Sequence, residues 1–227
     1  MIKDALKSLL DETAGRQPME HEVKRLLKGL GLSVPKGFFI PAGNFTTEGV
    51  RLLHRKKLRF PLVVKAASPD IRSKSEARAV VLGIRTEGEL ERSAREILKN
   101  VKKARGVLVE EMIGGGLETI AGGLIDAQFG PVVMFGLGGV FVEVFHDVSF
   151  ALAPASRREA LKLASRIKGF GLLKGVRGRP SVDFNALAAS LVTVSRLIAT
   201  GLIKEIDLNP LALSPEGAFV LDAKIFV

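Results

Sequence analysis

Glu205-Ile-Asp-Leu-Asn-Pro-Leu-Ala-Leu-Ser-Pro-Glu-Gly-Ala-Phe-Val-Leu-Asp-Ala-Lys-Ile-Phe-Val227 reads as two strands folded about Ser214-Pro215-Glu216-Gly217, residue types that favour a tight turn. With Pro215 and Glu216 at the centre, residues facing each other across the strands have numbers that sum to 431. Asn209 then faces Asp222, and Asp207 faces Lys224. Directly opposed Cβ atoms lie roughly 4.5–5.5 Å apart. The two-residue period of a strand puts Asp207 on the same face as Asn209. Two carboxylates and a carboxamide gather there beside one lysine. Such hard oxygen donors suit Mg²⁺, which takes one or two protein ligands and completes its shell with phosphates and water. The solvent-facing polar side of an edge hairpin would read the same way.

Outward from this hairpin, Asp183 opens a long helix with Leu187, Leu191, Val194 and Ile198 on its apolar face, ending at Gly201. Ser156 with Glu159, and Thr86 with Glu89, are capping boxes. The first opens a helix to about Lys168, and the second precedes Leu90, Ala94, Ile97, Leu98 and Val101 at helical spacing. Helices are also expected over 20–30, stopped by Gly31, and over 46–57. Pro61-Leu-Val-Val-Lys-Ala-Ala67 reads as a buried strand, and further strands are expected near 106–113, 117–127, 131–135 and 140–145. Strands and helices without strict alternation indicate an α+β fold.

The 227 residues suffice for one large domain or two intimate lobes, and 47% hydrophobic with 26% charged residues excludes disorder as the main state. Without cysteine there is no disulfide, thiolate metal site or cysteine nucleophile. His21, His54 and His146 lack ligand spacing. No apolar run approaches membrane-spanning length, and the first residues lack a signal-peptide core, so a cytoplasmic protein is expected. Residues 1–106 carry 23 Lys and Arg against 12 Asp and Glu, whereas 107–227 carry 11 against 12. A basic first half fits nucleic acid, nucleotide phosphates, an acidic partner subunit or a merely solvated surface. No compact basic block with interleaved aromatics singles out nucleic acid, which is not expected as a partner.

Several stretches together resemble the ATP-grasp β subunits of the NDP-forming acyl-CoA synthetases, the ADP-forming acetyl-CoA synthetases being the nearest type. They are Pro61-Leu-Val-Val-Lys65, Ser68-Pro-Asp-Ile71, Gly106-Val-Leu-Val-Glu-Glu-Met112 and Gly116-Leu-Glu118. In the same order follow Gln128-Phe-Gly-Pro-Val-Val-Met-Phe-Gly-Leu-Gly-Gly-Val-Phe-Val-Glu143, Asp147-Val-Ser-Phe150, Leu173-Lys-Gly-Val-Arg-Gly178 and Glu205-Ile-Asp-Leu-Asn-Pro-Leu211. The resemblance, which runs from about residue 20 to the end, implies two ATP-grasp lobes with a nucleotide cleft between them, a smaller basic lobe (20–106) and a larger lobe (107–227) bearing the Mg²⁺-binding hairpin; an N-terminal helical arm (1–19) is expected before them. It implies an acid–CoA ligase subunit that uses ATP or ADP with Mg²⁺. The CoA-binding domain and phosphohistidine would belong to an α subunit, giving a hetero-oligomer.

Residue by residue, the resemblance assigns Lys65 to the nucleotide phosphates, Glu110, Glu111 and Met112 to adenine, and Glu118 to the ribose hydroxyls. Asn209 and Asp222 correspond to the Mg²⁺ ligands, in agreement with the cross-strand arithmetic. Asp207 corresponds to the acid that orients the incoming phosphohistidine imidazole. Arg177 is a candidate phosphate or subunit contact, or a partner in a loop salt bridge. Gly136, Gly138 and Gly139 allow close backbone approach, to a phosphate or in a tight turn. One departure stands out. Ser73 occupies the place of the family's loop histidine, and Arg78-Ala79 replace a glycine pair. A serine hydroxyl cannot form the labile N–P bond of a relay, so a second reading is a degenerate subunit that binds nucleotide or partner without turnover.

Overall fold

The computed structural model describes residues 1–69, 79–139, 144–176, 178 and 180–227. Ser73 and Arg177 lie outside them, as do Asp70–Arg78 generally. The chain divides into two units, one of Met1–Pro18, Glu22–Val34 and Gly115–Val227, the other of Met19–His21 and Pro35–Gly114.

The smaller unit is an antiparallel four-stranded sheet, with β1 (Gly37–Pro41), β2 (Leu62–Ala67), β3 (Val80–Ile84) and β4 (Gly106–Glu111) in the order β1-β4-β2-β3. Helices α3 (Phe45–Lys56) and α4 (Glu87–Asn100) contribute Leu53, Leu90, Ala94 and Ile97 to its core with Phe38, Ile40, Val64 and Val109. Thr86 caps α4, its hydroxyl accepting from the Glu89 amide at 3.2 Å. Strands β1 and β3 are too short and too weakly alternating to stand out from sequence. Because β4 pairs with both β1 and β2, residues 106–111 belong here. The division therefore falls at 114/115 and not after residue 106.

The larger unit's six-stranded sheet runs β10-β8-β5-β6-β7, with β9 also paired to β8; its strands are β5 (Leu117–Asp126), β6 (Gly130–Leu137), β7 (Val148–Leu152), β8 (Glu205–Ser214), β9 (Gly217–Val220) and β10 (Ala223–Phe226). The described helices also include α1 (Ile2–Thr13), α2 (Glu20–Gly29), α5 (Arg157–Ala164), α6 (Phe170–Leu173) and α7 (Phe184–Ile198). The expected apolar face of α7 is wholly buried, with Leu187, Leu191, Val194 and Ile198 against the sheet. Each such leucine contributes about 1.5–3 kcal/mol. Asp183 caps α7 by accepting from the Asn185 and Ala186 amides.

Two further expectations are corrected. Residues 1–19 do not form a separate arm, since Leu6 and Leu9 of α1 are buried in the larger core alongside Val23 and Leu27 of α2. The strand expected over 140–145 is not seen at Val144 and Phe145, which are helical, and β7 begins at Val148; residues 140–143 lie outside those described.

Gly136 and Gly138 serve strand packing. A Cβ on Gly136 would come within 2.7 Å of the Asp147 carbonyl, and one on Gly138 within 3.0 Å of the Glu118 carbonyl. Gly139 has φ +58, as a tight turn requires. Gly136→Ala should therefore lower stability by about 1–3 kcal/mol. Gly114→Ala, with nothing within 4 Å of its Cβ, should leave stability unchanged or slightly raised. Equal denaturation midpoints for the two variants would contradict this packing.

Candidate functional site

The C-terminal strands follow the expected register. Ser214 pairs with Gly217 and Leu211 with Val220 on β9, then Leu208 with Ala223 and Asp207 with Lys224 on β10. The second strand is broken at Leu221 and Asp222, which separates β9 from β10 without loss of register. At the break the Leu221 amide donates to the Pro210 carbonyl at 2.9 Å, and the Asn209 amide to the Asp222 carbonyl at 3.1 Å. Burial alternates over Glu205–Asn209 of β8. Ile206 and Leu208 point into the core, while Glu205, Asp207 and Asn209 share the opposite, open face. Asp222 and Lys224 stand beside them from the partner strand, so Asp207, Asn209, Asp222 and Lys224 are brought together.

Asp207 is half-buried. Burial pushes its pKa up to about 6, opposed by the cationic Lys224 and reinforced by the negative Asp222 and Glu205. Among the described residues no group of three or more His, Asp or Glu side chains forms a metal cage. The donors present, one carboxylate and one carboxamide on neighbouring strands, fit a hard cation that draws its remaining ligands from phosphate and water. Glu118 lies on β5 of the same sheet, opposite Ala212 of β8, with its side chain exposed.

The smaller unit holds the remaining candidates. Lys65 is 8% exposed on β2, where every residue is buried. An ammonium at such a place needs compensation. It comes from two carboxylates, Glu20 Oε1 at 2.9 Å and Glu110 Oε2 at 2.8 Å from Nζ. Lys65 faces Leu108 on β4, so Glu110 is its diagonal neighbour, within reach of long side chains. The Glu110 carboxylate thus pairs with Lys65. Glu111 accepts from the Arg59 amide at 3.0 Å, and its own amide donates to the Lys36 carbonyl. The amide of Met112 donates to the Pro61 carbonyl at 2.9 Å, while its side chain is exposed.

Among the described residues, the buried charges that escaped the sequence reading include Glu20 and Lys24 of α2. Their four-residue spacing places them on one helical stripe with Leu27, and that intrusion of charge beside the apolar face was the available signal. Lys24 Nζ donates to the Leu221 carbonyl at 2.7 Å.

An ATP-grasp domain model matches residues 10–227. The β subunit of the ADP-forming acetate–CoA ligase II of Pyrococcus furiosus is 38% identical over 239 residues, covering 100% of this chain and 99% of that one. An acetyl-coenzyme A synthetase 1 of Ca. Korarchaeum cryptofilum, solved with coenzyme A and Ca-AMPCP, superposes with a TM-score of 0.88 at 36% identity, covering 100% of both chains. A second structure of that enzyme holds coenzyme A and Mg-AMPPCP with its phosphohistidine segment pointing towards the nucleotide binding site; it covers 100% of both chains at 37% identity and a TM-score of 0.81. With the register of the C-terminal strands and the ordered motifs, these similarities place the chain in the ATP-grasp family, where it belongs to the β subunits of the NDP-forming acyl-CoA synthetases.

Proposed function

We propose that this chain is the nucleotide-binding subunit of an ADP-forming acyl-CoA synthetase. With an α subunit that carries the CoA-binding domain and a phosphohistidine, it would catalyse acyl-CoA + ADP + phosphate = acid + CoA + ATP in the cytoplasm. The observation that carries this reading is the pairing of Asn209 with Asp222 beside Asp207 on one sheet face. Asn209 and Asp222 are the proposed holders of Mg²⁺, which when bound neutralises charge on the phosphates during transfer. The Asp207 carboxylate would accept the N–H of a visiting imidazole and fix its tautomer, leaving the other ring nitrogen to carry the phosphoryl group. Lys65, Glu118 and the Glu110–Met112 segment are the proposed contacts to the phosphates, ribose and adenine of the nucleotide.

Ser73 bears on the route of the phosphate. A phosphoserine ester is too stable to relay efficiently, so the α-subunit histidine would deliver its phosphoryl group directly to ADP. Its N–P bond breaks as the new O–P bond to the β-phosphate oxygen forms. Brief incubation of the complex with radiolabelled ATP should leave acid-labile label on the partner and none on this chain. Acid-labile label on this chain would refute the direct route. Absence of label from both subunits, despite nucleotide binding, would favour the degenerate reading.

Mg²⁺-ADP should raise the melting temperature of the isolated chain, with about 2.7 kcal/mol of stabilisation at a hundredfold excess over Kd. Asp222→Ala and Lys65→Ala should each reduce that gain, and an undiminished shift in both would sink the assignment.

The titration of Asp207 supplies another check. Its folded pKa is about 6 against an ordinary 3.8. Its contribution to stability is therefore complete below about pH 4 and lost as the pH rises through 6. In metal-free buffer, Asp207→Asn should gain about 2 kcal/mol relative to the wild type between pH 4 and 7. A pH-independent difference between the two would remove burial as the cause.

A further inference from the structure

Lys24 is 3% exposed, on a helix whose Val23, Leu26 and Leu27 belong to the larger unit's core. A leucine or methionine would pack there without the cost of burying an ammonium. What lysine adds is a donor aimed at the Leu221 carbonyl, 2.7 Å away. Leu221 lies in the break between β9 and β10, where ladder pairing is interrupted. Its amide is held from the β8 side by the Pro210 carbonyl, and its carbonyl from α2 by Lys24. The next residue is Asp222, whose carbonyl accepts from Asn209. The peptide that leads into the Asp222 carboxylate is therefore gripped from both sides, once by a strand and once by a buried cation.

We infer that Lys24 is a positioning residue for the divalent-metal site, clamping Leu221 so that Asp222 presents its carboxylate beside Asn209. The inference rests on the reading that Asn209 and Asp222 hold the metal of a bound nucleotide. Groups that orient metal ligands are felt as changes in metal affinity, about 10–100-fold when removed. Lys24 touches neither metal nor nucleotide in this scheme, so its loss should change the metal requirement and spare metal-free ADP binding.

The test titrates Mg²⁺ into the full chain at fixed ADP and follows the melting temperature, with ADP binding in EDTA measured alongside. Lys24→Met should raise the Mg²⁺ concentration for half the effect by about tenfold or more, leave ADP affinity in EDTA unchanged, and speed amide exchange at Leu221 and Asp222 in metal-free protein. Lys24→Arg, which keeps a cationic donor, should recover most of the metal response. Leu9→Ala, a core lesion elsewhere in the unit, should lower the starting melting temperature without moving the Mg²⁺ midpoint. If Lys24→Met does not fold, Lys24→Gln, a shorter neutral donor, is compared with Lys24→Arg in the same way. An unmoved midpoint in Lys24→Met or Lys24→Gln, beside a clear loss in Asp222→Ala, overturns the positioning role and leaves the metal site standing. Equal Mg²⁺ responses in the wild type and Asp222→Ala would overturn the site itself.

Discussion

Backbone hydrogen bonding along β8 determines where the charged side chains of the larger unit's open sheet face stand. A strand's period of two separates Ile206 and Leu208, which enter the core, from Glu205, Asp207 and Asn209, which do not. Slipping the partner by one residue would bury Asp222 and Lys224 and expose Ala223 and Ile225. The apolar residues of β10 thus lock the same register that brings the polar ones together. Chemistry and stability share one constraint, and the turn at Ser214–Gly217 sets it.

The constraint survives a break in the strand. Between β9 and β10 the chain leaves the ladder for Leu221 and Asp222, yet the pairs on either side keep one register. Strand interruptions free a side chain from strict alternation, and here the freed residue is Asp222. Tertiary bonds from Pro210 and Lys24 replace the missing ladder contacts. In the smaller unit, Lys65 illustrates a related economy of charge. A buried cation is tolerable only with partners, and Glu20 and Glu110 supply them in a compact triad. Removing either carboxylate would weaken the compensation of that cation, which ties the lysine's placement to the helix start at Glu20.

Much of this was legible in the chain itself. The caps at Thr86, Ser156 and Asp183 and the apolar stripe of α7 are local patterns with local causes, and each corresponds to an element in the structure. The pairing of Asn209 with Asp222 was also legible, because a short turn transmits its register to residues only a few positions away. Less was readable where an element is short or its membership depends on pairing. Strands β1 and β3 carry too few residues for a period to show, and β4 joins the smaller unit only through its pairing with β1 and β2. The N-terminal helix gave no sign of its destination, since an amphipathic face says that something will cover it and not what.

The sequence by itself determined the longer helices and their caps, the register of the C-terminal strands and the cluster of Asp207, Asn209 and Asp222. Tertiary structure alone decided how the buried charges are satisfied. Lys65 meets Glu20 across 45 residues, and Lys24 meets the carbonyl of Leu221 across 197. Periodicity reports which face of an element is turned inward. The partner of a buried ammonium is chosen by packing between elements far apart in the chain, where no local pattern records it.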